Sequence, residues 1–211
     1  AEQLRTQGQW LLLGGLEQSR QLLWDARRKD VLTRLDQPWA RAQRAAFEGQ
    51  LEDEQGKFNL RNLVNRQQPD VDQLHNFERL CRLIGVDAAV SQRISRRVLA
   101  SYDQRVVRKD AEDQVQPAKY PMLRSLEDRS ALEGVDPQLL RRLHRFVSVL
   151  PGNTWVNGNT ASAEVLSAVV PQLSVSQAQA LVAERDSGRW FINRGDFVNR
   201  LRMPQVAVDS V

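Results

Sequence analysis

Residues 51–63 read Leu-Glu-Asp-Glu-Gln-Gly-Lys-Phe-Asn-Leu-Arg-Asn-Leu, and the parsing of this stretch decides the fold. Phe47, Gly49, Leu51 and Asp53 alternate with Glu48, Gln50, Glu52 and Glu54. Period-two alternation predicts a half-buried strand. Gln55-Gly56 then supplies a turn, because glycine accepts positive φ without a Cβ clash. Phe58, Leu60 and Leu63 resume an apolar face beyond it. Asn59 and Asn62 carry short amides that bond neighbouring backbone and fix a bend. The stretch therefore predicts an extended segment that feeds a helical domain.

Upstream, residues 2 to about 35 predict one long helix. Trp10, Leu13, Leu16, Leu23 and Ala26 lie close to one stripe, widened by Leu12, Leu22, Val31, Leu32 and Leu35. Gly14-Gly15 inside it signals close packing or a bend. Asp36-Gln37-Pro38 ends the helix, because proline disfavours helical geometry in the residue before it. Trp39 follows as an anchor onto the next strand.

Downstream the pattern turns helical. Asp70 is placed to cap a helix carrying Val71, Leu74, Phe77, Leu80, Cys81 and Ile84 at three-four spacing, with Gly85 just past its end. Asp87 is placed to cap the next, with Val90, Ile94, Val98 and Leu99. Leu126 to Leu132 reads as a short helix closed by Glu133-Gly134. Asp136-Pro137 opens another, aspartate as N-cap and proline at the first helical position. Thr160 is the expected cap for Ser162 to Val170, and Ser174 for Ser176 to Arg185. Trp190, Phe191 and Ile192 precede a helix from Arg194 to Leu201.

Composition limits the function classes. The chain has 211 residues, 41% hydrophobic and 27% charged, with 30 basic against 26 acidic residues and a net charge of +4. That is a globular profile with no requirement for an acidic partner. The lone Cys81 sits in an apolar helical run and reads as a small buried hydrophobe; no intrachain disulfide is possible. His75 and His144 lie among polar neighbours on helices and read as surface residues. No Ser-His-Asp or Cys-His set, Gly-rich phosphate loop or Cys/His zinc spacing is present, so the chain reads as no enzyme. No run of eighteen apolar residues occurs. The chain lacks an initiator Met and starts inside a helical pattern, as a piece of a longer protein with an anchor before it would.

Between Tyr102 and Tyr120 the helical pattern dissolves. Asp103, Asp110, Glu112 and Asp113 interleave with Arg105, Arg108 and Lys109. This is either a solvated loop or a calcium site of loop carboxylates and carbonyls, although the spacing is not that of an EF-hand.

Residues 156–201 have the form of a helix–hairpin–helix module, many of which bind DNA phosphates through the amides of a Gly-rich hairpin. Here the hairpin is Val169-Val170-Pro171-Gln172-Leu173-Ser174. It has no glycine, and Pro171 removes a donor. Five arginines in residues 151–211 (185, 189, 194, 200, 202) face five acids (Glu164, Glu184, Asp186, Asp196, Asp209), a neutral balance ill suited to a phosphate backbone. Nucleic-acid binding is thus the alternative function.

Four stretches, in this order, resemble the K-type minor pseudopilin of bacterial type II secretion, the GspK family. They are Leu12-Leu13-Gly14-Gly15-Leu16-Glu17, Trp39-Ala40, Asp53 to Leu60, and Asn157 to Leu166. The resemblance implies an α+β fold: a pilin-like N-terminal helix and small antiparallel sheet, with a large inserted all-helical domain containing the helix–hairpin–helix-like module. Its domains would be residues 1–63, the inserted 64–203, and a return strand at 204–211. It implies a periplasmic domain anchored in the inner membrane by a preceding helix. It also implies a place at the pseudopilus tip with the I-type and J-type minor pseudopilins, reached through Trp10, Leu13, Leu16 and Leu23. The family association with calcium falls on Asp103, Glu112 and Asp113, with Asp110 where the family has glycine.

Overall fold

The computed structural model describes residues 38–106, 112, 114–126, 128 and 132–211. The long helix expected over residues 2–35, with Trp10, Leu13, Leu16 and Leu23, lies outside the described residues. The chain divides into two compact units, residues 1–54 and 55–211.

The first described element corrects the reading of the opening stretch. Pro38–Gln55 is an α-helix, α1, where the alternation predicted a strand over residues 47–54 followed by a turn at Gln55-Gly56. Pro38 begins it; a proline in the first turn loses no intrahelical bond, and its fixed φ suits the helix. Ala40, Gln43, Phe47, Gln50, Leu51, Glu54 and Gln55 are its buried or half-buried positions among the described side chains. That is three-four spacing; Gly49 and Asp53, which completed the apparent alternation, are exposed.

The second unit begins with β1 (Phe58–Asn59), a 3-10 turn over Leu60–Leu63, and the hairpin β2 (Val64–Asn65) with β3 (Gln68–Pro69). Four helices and three strands then follow in the order α2 (Val71–Leu83), α3 (Ala88–Leu99), β4 (Gln104–Val106), β5 (Gln114–Gln116), α4 (Pro137–His144), β6 (Val147–Ser148) and α5 (Ala163–Val169). The last elements are α6 (Val175–Asp186) and α7 (Arg194–Leu201). Among the described residues the mixture is α+β, with strands only in two-stranded pairs. β2–β3 and β4–β5 are antiparallel, while β1 pairs in parallel with β6, Phe58 opposite Val147 and Asn59 opposite Ser148. Residues 204–211 form no ladder; the Val156 N–H donates to Ser210 O at 2.7 Å, the Gln73 amide to Ser210 Oγ at 3.0 Å and Arg194 to Val208 O.

Local chemistry explains the helix boundaries. Asp70 caps α2 by accepting from the Gln73 N–H at 3.2 Å, and Gly85, at φ +77°, ends it in the left-handed region. Asp136 caps α4 through the Gln138 N–H, with Pro137 at its first position. Ser174 and Gln177 form a reciprocal capping box on α6. The cap of α5 is Ser162, which accepts from the Val165 N–H at 3.2 Å, and not the expected Thr160. Asp87 stands at the N-cap of α3 without a side-chain cap bond. The described parts of Leu126–Leu132 are not helical.

One core gathers these elements. Phe58, Leu60 and Leu63 are buried with Phe77 and Leu80 of α2, Ile94 of α3, Leu143 of α4 and Leu166 of α5. Phe58 stacks on Phe77 with centroids 5.6 Å apart. Each such side chain contributes about 1.5–3 kcal/mol on burial.

Candidate functional site

The residues of the two diagnostic stretches, 53–60 and 157–166, meet in space. Gly56 lies against Thr160: a Cβ on Gly56 would come 2.5 Å from Thr160 Oγ1 and 2.8 Å from its carbonyl carbon. The glycine is needed for this close approach and not for a positive φ, which corrects the turn argument. Beside it the Asn157 N–H donates to Gln55 O at 2.8 Å.

Asn59 and Asn62 reach much further than a local bend. The buried Asn59 amide donates to Gly152 O and Thr154 Oγ1 at 2.8 and 3.0 Å. Its oxygen accepts from the Arg61 and Leu150 N–H groups at 3.1 Å each. All four bonding positions of the side chain are filled. Asn62 imitates a strand partner: it donates to Thr154 O at 2.7 Å and accepts from the Thr154 N–H at 3.0 Å. Together these amides clasp residues 55–65 to residues 150–160.

A second clasp joins residues 157–161 to α6 and the segment before α7. Asn159 accepts from the Phe191 N–H at 2.8 Å and donates to Phe191 O at 2.9 Å. The buried Arg185 donates to Gly158 O and Ala161 O at 2.9 and 2.6 Å, and pairs with Asp186 at 3.0 Å. A Cβ on Gly158 would touch Phe197, Val211 and Phe191 at 3.3–3.6 Å. With Phe191 held inward, Trp190 and Ile192 face out, 63% and 86% exposed. Trp155 is also exposed, and the Arg194 guanidinium sits 5.4 Å from its ring centroid. Trp190 and Ile192 were legible as large apolar residues in the sequence; their outward direction depends on the distant Asn159, which holds Phe191 between them.

Two of the three expected calcium residues, Asp103 and Glu112, flank the β4–β5 ribbon. Asp103 precedes β4, and one carboxylate oxygen accepts from the Ala118 N–H at 2.9 Å. Glu112 precedes β5, beyond the opposite end of the ladder that runs from Gln104–Gln116 to Val106–Gln114. The ladder itself does not bring these two together, and Asp113 lies outside the described residues. Among the described residues no three His, Cys, Asp or Glu side chains converge as metal ligands.

The hairpin of residues 169–174 does join two helices, α5 and α6. Three of its amides already have acceptors within the chain. The Val170 N–H donates to Leu166 O, the Leu173 N–H to Val170 O and the Ser174 N–H to Gln177 Oε1, and Pro171 has none. The turn instead places Gln172 at φ +64°. The nucleic-acid alternative therefore loses its physical basis in this hairpin.

Two family models, both described as type II secretion system (T2SS), protein K, match the chain, one over residues 56–152 and one over 156–211. They meet at the clasp that joins residues 55–65 to 150–160. The chain belongs to the type II secretion system protein K family. A curated member, type II secretion system protein K of Pseudomonas aeruginosa strain PAO1, is 32% identical over 162 residues, 72% of this chain and 47% of that protein. The chain spans about half the length of that relative.

Proposed function

We propose that the chain is the periplasmic part of an inner-membrane-anchored minor pseudopilin at the tip of the type II secretion pseudopilus. There it nucleates and caps assembly for the export of folded proteins across the outer membrane. The observation that carries this is the protein K match over nearly all of residues 56–211. The role is assembly, with no catalytic step. A pilin-like core of residues 1–63 and 204–211 with the inserted 64–203 belongs to the same reading. So do the partners, I-type and J-type minor pseudopilins, met through Trp10, Leu13, Leu16 and Leu23. A unit as bulky as residues 55–211 on one end of a fibre subunit would block further stacking, which suits a tip.

The test is light scattering on mixtures with soluble I-type and J-type domains. A complex holding one copy of each supports the tip role; no complex at micromolar concentration removes it. Calcium at Asp103, Glu112 and Asp113 is proposed with it and tested apart. An ion bound only by the folded chain raises its melting temperature. A lower Tm after EDTA treatment of calcium-loaded protein supports the site, and an unchanged Tm removes it.

A further inference from the structure

A groove of about 960 Å³ runs beside the first clasp. Its walls are Gln55, Asn62 and Asn65, the outer face of α2 with its cap Asp70, the α5–α6 turn, residues 153–155 and residues 205–210. Its volume lies at the upper end of the range for small-ligand sites. We propose that this groove binds a short N-acetylated oligosaccharide, with Trp155 as the stacking platform.

The lining chemistry selects the ligand class. Asp72, His75, Gln172, Gln205 and Asp209 line the groove and are exposed. None of these side chains is tied to another described residue. They offer two carboxylates that accept hydroxyl protons, two primary amides that donate and accept, and an imidazole. An acetamido group complements a primary amide with both its N–H and its carbonyl oxygen. Gln172 is held at the lip by a left-handed backbone that an L residue adopts at a cost, a feature that clusters at binding positions.

Trp155 supplies the apolar element. It lines the groove and is 68% exposed, while Arg194 holds its ring by the cation–π contact already described. A solvent-facing indole beside amides and carboxylates suits the C–H face of a pyranose, which is apolar, while its rim is polar.

Other ligand classes fit less well. The charged lining residues are Asp70, Asp72 and Asp209 against Arg79, and Arg79 already donates to Ala168 O at 3.0 Å. A phosphate or a strongly anionic chain is repelled by that balance. A peptide anchored by large apolar side chains would need apolar pockets, and Val169 and Val206 of the lining are themselves buried.

The experiment is a titration of the 211-residue chain with chitotetraose and, separately, maltotetraose, followed by amide chemical shifts and calorimetry. The expected result is saturable binding of chitotetraose, with shifts at residues 153–155, 172 and 205–209. Trp155→Ala is expected to weaken it at least tenfold while melting like the parent, since the ring is exposed. Gln205→Ala gives a second variant with the same expected direction. The proposal is overturned by no shifts at millimolar sugar, by shifts confined to other residues, by equal binding of maltotetraose, or by unchanged affinity in both variants.

Discussion

Gly56 and Thr160 are packed backbone to backbone, so closely that no other residue fits at position 56. A Cβ there would lie 2.8 and 2.9 Å from the Thr160 carbonyl carbon and oxygen. Gly56→Ala is expected to destabilise the second unit by about 1–3 kcal/mol, the range for overpacking. Denaturant titration checks it. Thr160→Ala in the same background removes only the hydroxyl contact, and is not expected to restore stability, because the carbonyl remains.

The β2–β3 turn carries avoidable strain. Arg66 and Gln67 both have positive φ, 51° and 62°, where a two-residue hairpin prefers Asn-Gly. The double substitution Arg66→Asn, Gln67→Gly is expected to stabilise the chain by about 1 kcal/mol, from the cost of holding ordinary residues in that region. Gln67 O accepts from the Arg105 N–H at 2.8 Å, a backbone contact that both substitutions preserve. A lower Tm in the double variant contradicts this account.

Cys81 is expected to be inert. Burial, with the Glu78 carboxylate second, pushes its thiol from 9.0 up to about 12. The folded chain should resist thiol reagents at pH 8 and react only as fast as it opens. The sign for stability follows from the raised value. The contribution is complete below pH 9 and is lost as pH rises from there towards 12. A Cys81→Ala variant should lose less stability over that alkaline window than the parent does. Rapid labelling of the native thiol at pH 8 would disprove the burial argument.

Asp196 titrates at the other end. The Ile192 N–H, and after it Arg200, hold its carboxyl below the ordinary value of 3.8, against an opposing desolvation. Its stabilisation is present above that value and is lost as pH falls through the lowered one. Asp196→Asn should therefore lower the Tm in the neutral region and flatten the acid limb of a Tm–pH curve, so that variant and parent converge as pH falls through the lowered value. An acid limb identical to that of the parent rejects the assignment.

Helix starts were legible because capping is local chemistry: Asp70, Asp136-Pro137 and Ser174 each act within three residues of themselves. The α1 helix was not, because eight residues of alternation competed with a three-four stripe that needed Ala40 and Gln43 to be seen. Asn59 was recognised as a backbone-bonding residue, and it does accept from Arg61 nearby. Its other partners lie 91 to 95 residues on, a separation that no local pattern encodes. The same holds for the groove, whose walls come from five separate stretches, residues 55–65, 70–79, 153–155, 169–172 and 205–210.

The pairing of β1 with β6 also has a temporal side. Phe58 and Asn59 find their strand partner only at Val147 and Ser148, and Gly56 its neighbour only at Thr160. A chain made from its N-terminus therefore holds β1 without its strand partner, and Gly56 without its neighbour, until about a hundred more residues have emerged, although Phe77 of α2 reaches Phe58 much sooner. Loop closure over that span is entropically costly and slows folding. Helices α2 and α3, built on local contacts, form ahead of it. The β1–β6 pairing is then the last contact of the opening stretch to lock, and until it does, the short β1 edge is open to pairing with another chain.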